Sequence, residues 1–233
     1  MTTLKDTAPA TSLTEIAPLA VKVAITHRLV VNHDPAGATA ESIRAMRTHL
    51  LAQHVRDGRR SIAICAASRG VGCSFLAANL AAAIAQSGLK VLLIDANLRD
   101  PGLADYFRPE KPVTGLYQAL IDPALAVGAT VQEDVLPNLS LMFAGSSEPG
   151  AHEQLGNAAF KLLMEQCMRD YDLTIVDTPA ANLFADARRI ASVMRYAMVV
   201  VRRDQSFLRD VRTLIGDLRA DRAHVIGTYL NDY

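Results

Sequence analysis

Short, almost continuously apolar segments alternate with longer segments of helical periodicity along most of this sequence. A strand that is apolar at nearly every position is typical of one buried on both faces. Strands of this kind that alternate with helices predict an α/β fold, with a mostly parallel sheet flanked by helices on both faces. The predicted strands are Ser61–Ala66, Val91–Asp95, Leu139–Phe143, Leu173–Asp177, Ala197–Val201 and His224–Leu230. The predicted helices are Ala40–His54, Ser74–Ser87, Leu116–Ile121, about His152–Arg169, Ala185–Val193 and Phe207–Arg219.

The composition limits the chain to one core and excludes several classes of partner. With 233 residues, half of them hydrophobic, we expect a flexible extension over residues 1–27 and one domain over residues 28–233. Lys plus Arg and Asp plus Glu both number 24, which leaves no basic field for nucleic acid. The apolar runs are too short for direct membrane insertion. Cys65, Cys73 and Cys167 are odd in number and widely spaced, which favours a reducing, cytoplasmic compartment.

A glycine-containing loop joins the strand at residues 61–66 to the helix that follows it. In such a loop the backbone N–H groups and the helix N-terminus point at bound phosphate, so the sequence predicts a P-loop type of nucleotide site. Cys73 stands where a Walker A loop places the lysine that reaches the β- and γ-phosphates, which predicts weak or absent binding of ATP or ADP. Three readings stay open: Arg69 supplies a replacement charge, Cys73 is a reactive thiolate at the helix N-terminus, or Cys73 is a small neutral filler. The candidate nucleotide-binding residues are Arg69, Gly70, Val71, Gly72, Cys73, Ser74 and Phe75.

Two later strands each end in an aspartate, Asp95 and Asp177. Ligands of open α/β sheets collect at the carboxyl ends of the strands, and a hydrophobic run that closes on an acid is typical of a Walker B strand. We therefore interpret Asp95 and Asp177 as candidate catalytic residues and Ser74, Asp95 and Asp177 as candidate ligands of Mg²⁺. The alternative is that either acid caps the loop or helix after its strand.

Together these segments resemble the cytoplasmic domain of bacterial tyrosine kinases, the BY-kinase family within the P-loop MinD/ParA-like superfamily. The resemblance covers residues 29–231. Its most specific element is the ExxRxxR helix, which MinD- and ParA-like relatives do not share. The matching segments are Glu41-Ser42-Ile43-Arg44-Ala45-Met46-Arg47 followed by Thr48-His49-Leu50, Ala77-Ala78-Asn79-Leu80-Ala81, Leu93-Ile94-Asp95 with Leu98-Arg99, Ala144-Gly145 and Tyr171-Asp172.

The resemblance implies that Glu41, Arg44 and Arg47 form the interface of a homo-oligomer. It also implies a role in exopolysaccharide synthesis beside a partner, an inner-membrane polysaccharide co-polymerase (chain-length determinant protein) that recruits the chain to the membrane. The family has a second acid where Asn97 stands here, and an amide cannot act as a carboxylate base. The family also carries a tyrosine-rich tail, for which only Tyr233 is a candidate acceptor here.

These departures favour a regulatory or scaffold component of capsule or adhesin polysaccharide biosynthesis and export, a pseudokinase with an impaired nucleotide site. One alternative is an active ATP-dependent protein-tyrosine autokinase of the same system, in which Arg69 or Arg99 replaces the missing charge. Another is a MinD- or ParA-like ATPase that acts as a positioning switch. The balanced charge gives this last alternative no support from a DNA-binding surface.

Overall fold

A seven-stranded sheet forms the centre of the computed structural model, which describes residues 21–146 and 148–232. Most of the predicted extension at residues 1–27, and Tyr233, lie outside these residues. The strand order in the sheet is β5-β6-β3-β7-β2-β8-β9, and only β5 runs antiparallel to its neighbour. The strands are β2 (Ser61–Ala66), β3 (Val91–Asp95), β5 (Gln132–Leu136), β6 (Leu139–Met142), β7 (Leu173–Asp177), β8 (Tyr196–Arg202) and β9 (His224–Asn231).

Helices cover both faces of this sheet and bury two hydrophobic clusters against it. The clusters separate because successive side chains of a strand point to opposite faces, so that Ile62 and Ile64 join one cluster while Ala63 and Cys65 join the other. The predicted fold class is confirmed. On the first face lie α1 (Val30–His33), α2 (Ala38–Leu50) and α3 (Cys73–Ala85), and on the second α4 (Leu116–Ile121), α5 (Ala158–Asp170), α6 (Asp186–Met194) and α7 (Leu208–Ala220).

A small two-stranded antiparallel sheet lies beside the main one. It pairs β1 (Val23–Ile25) with β4 (Phe107–Pro109), so the described part of the predicted extension contains a strand. The sequence pattern did not predict β1, β4 or β5. Short strands at an edge are not buried on both faces and therefore lack the continuous apolar signal.

Two predicted helices are interrupted where the structure places them. The helix predicted over about His152–Arg169 is a 3-10 turn, Ala151–Gly156, followed by α5, and Asn157 between them has an extended backbone. The helix predicted over Ala40–His54 is α2 followed by a π-helical turn at Leu51–Val55. Among the described residues, no helix has the length and apolar character needed to cross a membrane.

Candidate nucleotide site

The loop between β2 and α3 has the backbone that a phosphate cradle requires. Gly70 and Gly72 have φ angles of +74° and +101°, in the left-handed region that only glycine adopts without strain. Gly72 directly precedes the first residue of α3, so the N–H groups of the first helical turn face the loop. A Cβ atom on Gly72 would lie 2.2 Å from Asn231 Nδ2, so close packing also restricts this position to glycine.

Two side chains, one from the adjacent strand β8 and one from the edge strand β9, support the loop through hydrogen bonds. Arg202 Nη1 donates to the carbonyl of Gly70 at 3.0 Å, and Asn231 Nδ2 donates to the carbonyl of Val71 at 2.9 Å. Both residues stand at the carboxyl ends of β8 and β9, where ligands of parallel sheets bind. The sequence analysis did not identify them, although their position at strand ends was a usable signal.

A cavity of about 650 Å³ opens above the loop. Its size is within the range usual for small-molecule and cofactor sites. The cavity brings together all seven predicted nucleotide-binding residues, from Arg69 to Phe75, with Asn97. Its walls also include Arg28, Asp105, Tyr106, Thr178, Arg202 and Asn231.

Cys73 places an uncharged side chain where a Walker A loop has its phosphate-binding lysine. Burial raises the pKa of the Cys73 thiol well above its usual value, and the nearby Asp177 carboxyl raises it further. A thiol with a raised pKa stays protonated near neutral pH, so the structure favours the neutral filler over the reactive thiolate.

Asp177, at the end of β7, is fully buried and does not line the cavity. Ser74 Oγ donates to its Oδ2 at 2.5 Å, while its Oδ1 has no hydrogen-bond partner among the described residues. Burial raises the pKa of the Asp177 carboxyl well above its usual value, and the charge of Asp95 adds to this. A buried carboxylate oxygen without a partner is suited to a cation or to a protonated ligand.

Asp95 pairs in register with Asp177 on the adjacent strand, but both of its carboxylate oxygens already accept backbone hydrogen bonds. Its Oδ2 accepts from the backbone N–H groups of Gly102 and Leu103 at 3.0 Å each, and its Oδ1 accepts from the N–H of Asn97 at 3.1 Å. Burial nevertheless raises the pKa of Asp95 to about 6. Asp95 thus organises the loop after β3, and its catalytic and metal-binding roles stay predictions.

Asn97 also takes part in this loop. Its Nδ2 donates to the carbonyl of Asp100, and its Oδ1 accepts from the Asp100 N–H at 3.2 Å. The amide therefore closes a local turn at the rim of the cavity, a task that a carboxylate cannot perform alone because it lacks a donor.

Two arginines considered as replacement cations contact the same aromatic ring. The guanidinium carbon of Arg99 lies 3.8 Å from the Phe184 ring centroid, and that of Arg69 lies 5.7 Å from it. Arg99 Nε also donates at 2.6 Å to the buried carboxylate of Asp186. Arg99 is thereby held outside the cavity lining, whereas Arg69 is part of it.

The residues present fit a nucleotide and a magnesium ion only in part. The glycine loop supplies backbone donors for phosphate, and the Ser74 hydroxyl with the unpartnered Asp177 oxygen supplies hard oxygen ligands for Mg²⁺. The ammonium that accompanies such a loop is replaced by the Cys73 thiol. Among the described residues, no group of three or more His, Cys, Asp or Glu side chains is arranged to hold a metal ion.

The predicted interface residues lie on α2, which packs against α3. Arg44 donates to Glu41 on the same helix at 2.9 and 3.0 Å and also to the carbonyl of Pro35. Arg47 Nη1 reaches the carbonyl of Ala83 in α3 at 3.3 Å. The Glu41 side chain is 72% exposed, so it is open to a partner.

The fold and the glycine loop define this chain as a domain of the P-loop NTPase-like fold, and comparisons with known proteins agree. A family profile described as "AAA domain" matches residues 59–214. The tyrosine-protein kinase YwqD of Bacillus subtilis is 33% identical over 72% of this chain and 70% of its own length. The chain belongs to the bacterial tyrosine-kinase (BY-kinase) family.

Other relatives differ in length. The putative tyrosine-protein kinase CapB of Staphylococcus aureus is 25% identical over 87% of this chain and 88% of its own length. The succinoglycan biosynthesis transport protein ExoP of Rhizobium meliloti is 32% identical over 88% of this chain. The chain spans only 26% of ExoP, and 27% of the putative tyrosine-protein kinase EpsB of Ralstonia solanacearum.

Solved structures show the same relationship. The kinase domain of the Escherichia coli tyrosine kinase ETK superposes with a TM-score of 0.81 at 27% identity, over 87% of this chain and 79% of that one. The septum site-determining protein MinD of Pyrococcus horikoshii, complexed with Mg-ADP, has a TM-score of 0.64 at 21% identity, over 75% of this chain and 70% of that one. The second likeness concerns the fold alone.

Proposed function

We propose that this chain is a cytoplasmic, kinase-like regulatory or scaffold component of exopolysaccharide biosynthesis and export, with an impaired nucleotide site. One observation carries the proposal: the half-buried, uncharged side chain of Cys73 lines the cavity at the position of the phosphate-binding lysine, in a loop that has otherwise kept its cradle.

The charge balance of the site supports weak binding and slow chemistry. Phosphoryl transfer depends on fixed positive charge around the transferring group. Here two buried carboxyls, Asp95 and Asp177, lie side by side, and burial raises the pKa of both. Without the lysine, a bound triphosphate would add negative charge to a site that already disfavours negative charge. The backbone donors of the loop remain, which is why we expect weak binding of ATP or ADP with Mg²⁺.

The biological setting comes from the relatives. ExoP is by name a biosynthesis transport protein for the polysaccharide succinoglycan, and it contains a region similar to this chain. We place this chain in an equivalent system, recruited to the inner membrane by a polysaccharide co-polymerase. The test is co-purification with co-polymerases encoded beside it, and failure to bind any of them would contradict the assignment.

Self-association through α2 is the structural part of the proposal. Glu41 is 72% exposed and pairs with the less exposed Arg44, and its carboxylate can exchange partners at little cost because an ion pair at the surface contributes only about 0–1 kcal/mol. We expect Arg44→Glu to lower the mass of the assembly measured by light scattering, and a thermal melt establishes that the variant is folded. The control is Lys161→Glu, since Lys161 is exposed on α5 and forms only a 3.8 Å pair with Glu165. An unchanged mass for Arg44→Glu would remove α2 from the interface.

The nucleotide part is tested by restoring the charge. We expect Cys73→Lys to bind a fluorescent ATP analogue with Mg²⁺ at least about tenfold more tightly than the parent chain, because a charge-assisted contact to phosphate is worth about 1.5–3 kcal/mol. Cys73→Ala is the matched control for removal of the thiol without gain of charge. Tight binding and hydrolysis of ATP by the parent, or ATP-dependent phosphotyrosine that disappears in Asp177→Ala, would instead establish an active autokinase.

A further inference from the structure

The cavity has a wall that lies outside the phosphate loop and outside the region matched by the family profile. It is formed by Arg28, in the segment between β1 and α1. The buried side chain of Asn79 in α3 fixes the backbone of this segment. Its Nδ2 donates to the carbonyl of Arg28 at 3.2 Å, and its Oδ1 accepts from the N–H of Val31 at 3.3 Å.

Asn79 also ties this segment to the phosphate loop itself. The same Nδ2 donates to the carbonyl of Phe75 at 3.0 Å, in the first turn of α3. The backbone at Arg28 and the start of the phosphate-binding helix are therefore held by one buried amide. A residue fixed in this way faces the cavity with little loss of backbone entropy when a ligand binds.

The Arg28 side chain rests at the rim of the cavity on a partner that it can leave. Its Nη1 donates to Asp105 Oδ2 at 2.6 Å, and the two side chains are 53% and 61% exposed. Arg28 also lies near Tyr106, another residue of the cavity wall; burial raises the pKa of that phenol, and the positive charge of Arg28 partly offsets the rise. Breaking an ion pair this exposed costs little, since water solvates both groups.

The other two arginines that line the cavity, Arg69 and Arg202, have contacts of a different kind. Arg202 donates to the carbonyl of Gly70 and so supports the loop, while Arg69 has its guanidinium near the Phe184 ring. Arg28 alone among these three is paired with an exposed carboxylate that a phosphate can replace. A guanidinium can also bind phosphate through two parallel N–H groups.

We infer that Arg28 binds the phosphates of a nucleoside di- or triphosphate in this cavity, and that it partly replaces the lysine absent at Cys73. On binding, the guanidinium exchanges Asp105 for phosphate oxygens. The inference rests on the proposed function, because it concerns the residual nucleotide binding of the altered loop.

The test is the affinity for a fluorescent ADP analogue with Mg²⁺, measured on the full chain. Arg28→Ala is expected to weaken binding about 5- to 20-fold, the loss of one charge-assisted contact at the edge of solvent. Arg28→Lys should stay within about threefold of the parent because it keeps the charge. Arg108→Ala is the matched control, since Arg108 is exposed on the neighbouring β4 and does not line the cavity, and it should leave the affinity unchanged. A thermal melt of each variant establishes that all are folded.

The same measurements in a Cys73→Lys background separate this inference from the proposed function. If the restored lysine strengthens binding and Arg28→Ala weakens binding by the parent loop more than by the lysine-containing loop, both stand. Equal affinity of the parent and Arg28→Ala, or no measurable binding by the parent while Cys73→Lys binds, overturns the role of Arg28 and leaves the proposed function intact. If Cys73→Lys does not bind more tightly than the parent, the charge argument of the proposed function is wrong. The affinities of the Arg28 variants then still test whether Arg28 binds the phosphates.

Discussion

Asp95 and Asp177 end neighbouring parallel strands in register, yet the structure gives them opposite surroundings. The Asp95 carboxylate accepts three backbone N–H groups from the loop that follows it. The Asp177 carboxylate accepts the Ser74 hydroxyl through one oxygen and keeps the other without a partner among the described residues. The same sequence signal, an acid at the end of an apolar strand, thus marks two residues with different roles. Asp95 stabilises a loop, and Asp177 has an oxygen that can still accept a hydrogen bond or bind an ion.

The difference suggests separate roles for the two carboxyls: Asp95 stabilises the loop after β3, and Asp177 has an oxygen that a ligand can contact. Both carboxyls are almost completely buried, and burial raises the pKa of each. Asp95 recovers part of that cost through its backbone donors. Asp177 has less compensation, and groups of this kind are common where a ligand or ion completes the site. Substitution of the two residues should therefore have effects of opposite sign on the free energy of unfolding.

The largest effect is expected for Asp95→Ala. It leaves the N–H groups of Asn97, Gly102 and Leu103 without their acceptor, and we expect it to lower the free energy of unfolding by about 3 kcal/mol, or the melting temperature by about 6–12 °C. The folded-state pKa of about 6 is above the usual Asp value, so this group's stabilisation is greatest at low pH and declines as pH rises through about 6. The difference in melting temperature between the parent and Asp95→Ala should accordingly be larger at pH 5.5 than at pH 8.

Asp100→Ala is the control for Asp95→Ala because Asp100 belongs to the same loop and is exposed. It should change the melting temperature far less. If Asp95→Ala were as stable as the parent, the loop after β3 would not depend on this carboxylate, and the contrast between the two acids would disappear.

The pattern of strands and helices was predictable because it depends on local periodicity and on burial of both sheet faces. The short edge strand β5 was not. β5 reads Gln132-Glu133-Asp134-Val135-Leu136, and it pairs only with β6, so no buried face imposes an apolar pattern on it. The break at Asn157 did have a signal, because Gly156 is typical of the position after a helix and Asn157 is typical of an N-cap.

The residues of the site could be predicted where a single segment contains the motif. They could not be predicted where segments that are distant in sequence meet in the fold. The glycine loop and the two acids stand next to recognisable strands. Arg28, Arg202 and Asn231 reach the same cavity from segments far away in sequence, and only the strand order places them there. That Asp95 and Asp177 differ was also hidden, because the partners of Asp95 belong to a loop whose conformation the sequence does not specify.

A smaller effect of opposite sign is expected for Asp177→Asn. Replacing a buried carboxyl that lacks a full set of partners with a neutral amide should raise the free energy of unfolding by about 1 kcal/mol at pH 8, or the melting temperature by about 2–4 °C. Because burial raises the pKa of Asp177, the parent loses stability as pH rises through that pKa, and the variant does not. The advantage of the variant should therefore shrink toward pH 4.5. A destabilised variant at pH 8 would show that the charge of Asp177 is compensated in the fold.

The smallest effect is expected from magnesium itself. A cation that binds Ser74 and Asp177 stabilises only the folded state, and at a concentration several times its dissociation constant it should raise the free energy of unfolding by about 1 kcal/mol or less, about 1–3 °C. The measurement is the melting temperature at increasing MgCl₂, with NaCl at matched ionic strength as the control. Asp177→Asn and Ser74→Ala should each abolish the shift, and Asp100→Ala should retain it. Equal shifts in the parent and in Asp177→Asn would mean that the ion binds at another acidic position, and the unpartnered oxygen of Asp177 would then need a different ligand to explain it.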